Sequence, residues 1–234
     1  MQEPHIRSRF DVELEAVQAR VMKLGGMVEA ALSDAAEALE RRDEALADRV
    51  RLGDAAIDML EEKIQTDCAR LLALESPTAG DLRLVLATMW IAAALERAGD
   101  YAKNLAKRAL VLLSMPPVGS SGVAVRRMAK AVVAMLSDAL DAYVARDAAR
   151  AGEVRLRDHE VDQLYNALFR EFLTYMMEDP RNITPCMHLH FIVKNIERVG
   201  DHATGIAEQV IYLVDGQMPG TARPKMDSTG LALG

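Results

Sequence analysis

Two short stretches of this chain concentrate residues that could do chemistry: Glu96-Arg97-Ala98-Gly99-Asp100 and Glu197-Arg198-Val199-Gly200-Asp201. In each, carboxylates stand at i and i+4, so on a helix both project from one face, a turn apart. Each also places a glycine inside a helix-forming run, where it costs about 1 kcal/mol relative to alanine. The same unfavourable residue in the same register twice points to a constraint on the space around it. We expect Gly99 and Gly200 to let a neighbouring backbone approach closely.

A second acidic pair precedes each of these, Asp54 with Asp58 and Asp158 with Asp162, and the chain repeats around them. Leu32-Ser33-Asp34-Ala35 matches Leu136-Ser137-Asp138-Ala139, Arg42-Asp43 matches Arg146-Asp147, and Val50-Arg51-Leu52 matches Val154-Arg155-Leu156, all 104 residues apart. By Glu96 and Glu197 the spacing is 101, so the halves differ in length in the intervening loop, where a length change is tolerated. Asp58 and Glu96 each lie 19 residues from Pro77, and Asp162 and Glu197 lie 18 and 17 from Pro180. Near-equal arms of a helical hairpin bring the two pairs to the same height, so four carboxylates converge in each half.

Such a group needs protons or cations to offset its charge. Oxygen-only donors suit Mg2+, Ca2+, Mn2+ or hard iron. Asn104, eight residues past Glu96, extends the first face with a neutral oxygen, whereas the corresponding position in the second half is Gly205. The competing reading is a set of solvated surface pairs, with Arg97, Lys103 and Lys107 able to satisfy the first.

The elements that must hold these groups are all helical. Apolar residues recurring at three- and four-residue steps predict helices over about 10–39, 44–74, 78–113, 123–145, 147–178 and 184–214. Asp43 is the expected cap of the second helix. Thr184 and Pro185 are the expected cap and first residue of the sixth. Pro77, Pro116-Pro117 and Pro180 break the pattern. The expected organisation is all-α: two tandem, sequence-related antiparallel three-helix bundles. The first repeat covers 1–114, a linker loop 115–122, the second repeat 123–215, and a flexible C-terminal tail 216–234.

The surrounding composition excludes other classes. Half of the 234 residues are apolar, enough for a sizeable core, and a net charge of −7 argues against nucleic acid as a partner. Cys68 and Cys186 show no disulfide or metal spacing, in keeping with a reducing cytosol. The N-terminus lacks the apolar run of a secretion signal. The longest charge-free helical stretch, 84–95, is too short to span a membrane, so membrane association would be peripheral. No Glu-x-x-His pair supports ferritin-like di-iron chemistry, and no nucleophile motif accompanies the acidic groups.

The runs 95–104 (Leu-Glu-Arg-Ala-Gly-Asp-Tyr-Ala-Lys-Asn) and 196–203 (Ile-Glu-Arg-Val-Gly-Asp-His-Ala), with Pro77-x-x-x-Asp81-Leu82-Arg83, resemble the PhoU family. That resemblance implies multinuclear metal sites, iron or zinc in some members. Carried over, the sites are Asp54, Asp58, Glu96 and Asp100, extended by Asn104, then Asp158, Asp162, Glu197 and Asp201. Manganese and magnesium are equally compatible with the donors. The resemblance further implies a cytoplasmic, often dimeric, negative regulator of phosphate uptake and phosphate-starvation signalling. Its expected partners are the phosphate ABC transporter, through its ATPase subunit, and a phosphate sensor histidine kinase. The alternatives are a metal-dependent phosphoester hydrolase and a plain helical scaffold.

Overall fold

The structure is a computed structural model describing residues 9–75 and 79–220. Its elements are α1 (Arg9–Arg41), α2 (Glu44–Glu75), α3 (Ala79–Leu113), α4 (Ser121–Ala145), α5 (Ala148–Glu178) and α6 (Ile183–Asp215), with one 3₁₀ turn (Pro180–Asn182) and no strand among the described residues. The break at Ser76-Pro77 and the tail beyond residue 220 lie outside the described residues.

The sequence identity between Arg42-Asp43 and Arg146-Asp147 has a local cause. Both arginines adopt the left-handed conformation, with φ of 55° and 53°, and end α1 and α4. The aspartate that follows caps the next helix: Asp43 Oδ1 accepts from the Leu46 amide at 2.9 Å and Asp147 Oδ1 from the Arg150 amide at 3.0 Å. The start of α6 differs from expectation. The helix begins at Ile183, ahead of Thr184, because the turn Pro180–Asn182 feeds directly into it. Asp179 accepts from the Arg181 amide and caps that turn. Pro185 still sits within the first helical turn, where its missing N–H leaves no bond unmade.

α1 packs on α3 and α4, and α6 packs on α3 and α4, so these four helices form a closed ring. α2 lies outside against α1 and α3, α5 outside against α4 and α6, and α2 and α5 do not touch. One continuous apolar core runs through both halves. The tandem bundles therefore share an interior: each half's inner pair buries its remaining apolar face on the other's.

Inner contacts join the halves. Gly25 of α1 faces Leu140 of α4, and a Cβ there would lie 2.2 Å from a Leu140 methyl. Tyr143 of α4 is fully buried and its hydroxyl lies 2.6 Å from Thr88 Oγ1 of α3. Thr88 donates its own proton to the Leu84 carbonyl at 2.7 Å, so Tyr143 is the donor between them.

The outer contact, α3 on α6, runs antiparallel. Trp90 meets Gly205, Tyr101 stacks 5.8 Å from His202, and Arg108 lies 4.2 Å over the Phe191 ring. Ascending positions on one helix meet descending positions on the other.

Because the core is shared, urea unfolding followed by circular dichroism is expected to show one transition for the whole chain. Tyr143→Phe is expected to lower its stability by about 1 kcal/mol through the lost hydrogen bond. Tyr143→Ala is expected to lower it by about 3–5 kcal/mol through the cavity left between the halves.

Candidate metal centre

In the first half, α2 and α3 bring the expected carboxylates into one electrostatic group. Asp54 is buried at 4% exposure, Glu96 and Asp100 are half-buried, and Asp58 is exposed. Partial loss of water, then the charges of Asp54, Asp100 and Glu61, push the Asp58 carboxyl above its ordinary range, against the opposing pull of Lys103. Glu96 is raised by the same loss of water and by Asp100, Asp58 and Glu61, with Arg97 opposing.

The positive charge comes from α3 itself. Lys103 Nζ donates to Asp54 and lies 3.3 Å from Asp100 Oδ1. The hydrogen bond to Asp54 is the main reason that its ammonium is held above the usual range. Arg97, largely exposed, lies 3.5 Å from Glu96 and 3.6 Å from Asp100. Lys103 therefore neutralises one end of the group. The other end opens on a cavity of about 490 Å³ lined by Asp58, Glu61, Trp90, Ala93, Ala94, Glu96, Arg97 and His202. His202 comes from α6, so the second half forms part of the wall; burial there lowers its imidazole pKa.

The second half solves the same problem with different residues. The position equivalent to Lys103 is Thr204, whose hydroxyl donates to Asp158 Oδ1 at 3.2 Å. The cation arrives instead from the preceding turn: Lys194 Nζ is 2.8 Å from Glu197 Oε1 and 5.1 Å over the Tyr165 ring. Burial raises Glu197, Lys194 opposes that, and the charges of Asp201 and Asp162 add to it. Ala93 stands where the second half has Lys194, which is why the first cluster has an open end at Glu96.

Both groups fit a hard cation in donor type, and each contains an orphan. Asp54 Oδ1 and Glu197 Oε2 are buried without a hydrogen-bond partner, which is costly for a carboxylate oxygen. As the side chains stand, no three His, Cys, Asp or Glu among the described residues close around a single point. Asn104 lies one turn beyond Asp100 on α3. It is exposed and lines a separate depression with Lys107, Arg108 and Asn195.

The glycines also act differently from expectation. A Cβ on Gly99 would meet the Ile57 side chain at 3.1 Å, while one on Gly200 would make ordinary contact with Val161 at 3.5 Å. What approaches is side chain, not backbone, and only Gly99 is tightly confined. Glu61 was readable from the sequence, since it stands at i+3 from Asp58 and i+7 from Asp54 on the same helix face. Trp90 and His202 reach their places only through packing between helices, whereas Lys194, three residues before Glu197 on the same helix, obeys the same spacing rule as Glu61. Cys68 and Cys186 are buried free thiols, and burial pushes Cys68 up to about 12.

The fold and site define a class of duplicated six-helix proteins with paired acidic groups on each half, and comparison with known proteins gives the family. A PhoU domain is recognised at residues 21–109 and again at 125–210. A phosphate-specific transport system accessory protein PhoU homolog of Caulobacter vibrioides is 45% identical over 223 residues, covering 95% of this chain and 97% of that protein. Its counterpart in Rhizobium meliloti is 43% identical, covering 98% and 97%. The crystal structure of PhoU from Pseudomonas aeruginosa superposes with a TM-score of 0.86 at 41% identity, over 89% of this chain and all of that one. The chain belongs to the PhoU family. Its relatives are named as accessory and regulatory proteins of phosphate transport.

The raised carboxylates fix the sign of a pH effect. Where the folded state holds a proton more tightly than the unfolded one, stability falls as pH rises through the interval between the two pKa values. Glu96→Gln, which removes one repelling charge, is expected to raise the melting temperature of metal-free protein at neutral pH. The gain should vanish as pH falls below the ordinary Glu value of 4.5. Melting curves of both proteins across that range check it, and an unchanged or lower melting temperature at neutral pH contradicts the repulsion.

Proposed function

We propose that this chain is a negative regulator of phosphate homeostasis. When phosphate is plentiful it restrains phosphate uptake and the starvation response, by linking the phosphate ABC transporter, through its ATPase subunit, to a sensor histidine kinase. The observation that carries the reading is near-full-length similarity to proteins named as accessory to phosphate-specific transport, over both repeats. None of the described helices is long and apolar enough to cross a membrane, so contact with a membrane transporter would run through its soluble parts. The protein would act in the cytoplasm, as a homodimer.

Metal ions complete this reading. One site would use Asp54, Asp58, Glu96 and Asp100, with Glu61 at the rim. The other would use Asp158, Asp162, Glu197 and Asp201. Iron, zinc, manganese and magnesium are all compatible with carboxylate donors. When bound, such an ion supplies concentrated positive charge on an otherwise acidic surface. The orphaned oxygens of Asp54 and Glu197 support the assignment, since each lacks a partner that a cation would provide. Lys103 would compete with the ion in the first site, because its ammonium already sits between Asp54 and Asp100.

Deleting the gene is expected to raise phosphate-regulated expression in phosphate-rich medium, and an unchanged response overturns the regulatory reading. Elemental analysis of protein purified without chelator addresses the metal separately. Asp100→Ala and Asp201→Ala are each expected to lower the metal content, whereas Lys103→Met is expected to tighten metal binding about tenfold by removing one competing charge. Equal content in all of these proteins removes the site assignment.

A further inference from the structure

The outer surface of the α3–α6 crossing carries a second concavity, separate from the acidic groups. Along α3, Trp90, Ala94, Arg97, Tyr101, Asn104 and Arg108 follow one another at three- and four-residue steps and share one stripe. Phe191, Asn195, Arg198, His202 and Gly205 do the same on α6. The acidic cavity lies at the Trp90 end of the α3 stripe. At the other end Asn104, Lys107 and Arg108, with Asn195 of α6, line a depression of about 290 Å³. In a chain of net charge −7, this lining holds two cations, two carboxamides and no carboxylate.

Among the described residues, neither Lys107 nor Arg108 is paired with a carboxylate. The Arg108 guanidinium is held by its face and one corner: it lies 4.2 Å over the Phe191 ring, and Nη1 is 3.4 Å from His188 Nδ1. Stacking of this kind orients the plane and leaves most of the edge N–H donors for an acceptor.

The duplication supplies an internal control. The equivalent positions in the other half are Gly205, Glu208, Gln209 and Ala94, which carry no cation. There the Trp90 ring covers the space, so closely that a Cβ on Gly205 would lie 2.6 Å from it. The basic depression is therefore not a by-product of the repeated fold. All four positions differ from their equivalents by gaining an N–H donor, a cation or both.

We propose that Asn104, Lys107, Arg108 and Asn195 bind a small tetrahedral oxyanion: inorganic phosphate, or the terminal phosphoryl group of a nucleotide. A guanidinium, an ammonium and two amide NH2 groups on two helices suit an acceptor with oxygens on every side. A planar carboxylate would be satisfied by Arg108 alone. The site is independent of the metal reading, shares no charged residue with it, and is tested in protein freed of metal.

The experiment is a titration of EDTA-treated, ¹⁵N-labelled full-length chain in phosphate-free buffer with inorganic phosphate, ADP or acetate. Saturable shifts are expected around 104–108 and 195, with affinity falling about tenfold in both Arg108→Gln and Lys107→Gln, one charge-assisted contact each. Glu153→Gln, on the exposed face of α5, should leave it unchanged. A stronger response to phosphate than to ADP identifies the free anion, and the reverse identifies a nucleotide. Lys107 is exposed, so its variant keeps the fold and remains decisive if Arg108→Gln does not. No saturable response to either phosphate compound, an equal response to acetate, or undiminished binding in Lys107→Gln overturns the proposal.

Discussion

The packing of α3 against α6 is the contact on which the other features of this protein depend. Each half contributes an inner pair of helices whose apolar surface is too broad to be covered by its own third helix, so the halves close on each other in a ring of four. That closure fixes the antiparallel packing of α3 on α6. It also leaves the outer faces of α3 and α6 uncovered, with α2 and α5 on opposite sides. His202 reaches the first acidic cavity, and Trp90 reaches Gly205, only because the crossing is antiparallel.

A second constraint acts within each half. Carboxylates drawn together and partly out of water must find positive charge nearby, and duplication has let the two halves find it in different ways. The first uses Lys103 on the far side of Asp100, leaving Asp58, Glu61 and Glu96 facing open space. The second uses Lys194 on the near side of Glu197 and a neutral hydroxyl, Thr204, at Asp158. The consequence is an open acidic site in one half and a more closed one in the other. Each is still left with one buried carboxylate oxygen that no hydrogen bond satisfies.

The fold and most of the first acidic group were legible in the chain, because helical periodicity and the repeat are local or near-local signals. The i, i+4 spacing placed Asp54 with Asp58 and Glu96 with Asp100, and Glu61 obeys the same rule. Asn104 obeys it too, and it also lines a depression with Lys107, Arg108 and Asn195 of α6. Spacing along one helix assigns a face, whereas the neighbouring helix decides what that face meets. Gly99 shows the same limit: its recurrence signalled confined space, but not that the Ile57 side chain was the occupant.

By itself, then, the sequence determined six helices, the cap at Asp43, a duplicated architecture and the acidic pairs on each hairpin. Those features follow from backbone propensity and from the turn-to-turn register of side chains. The tertiary structure alone decided that the halves share one core, that Lys103 reaches across to Asp54 of α2, and that Trp90 crosses to Gly205. It also separated an acidic cavity from a basic depression on the same outer surface. Such outcomes depend on which helix faces pack together and at what crossing, and that is settled by burying apolar area over the whole chain at once.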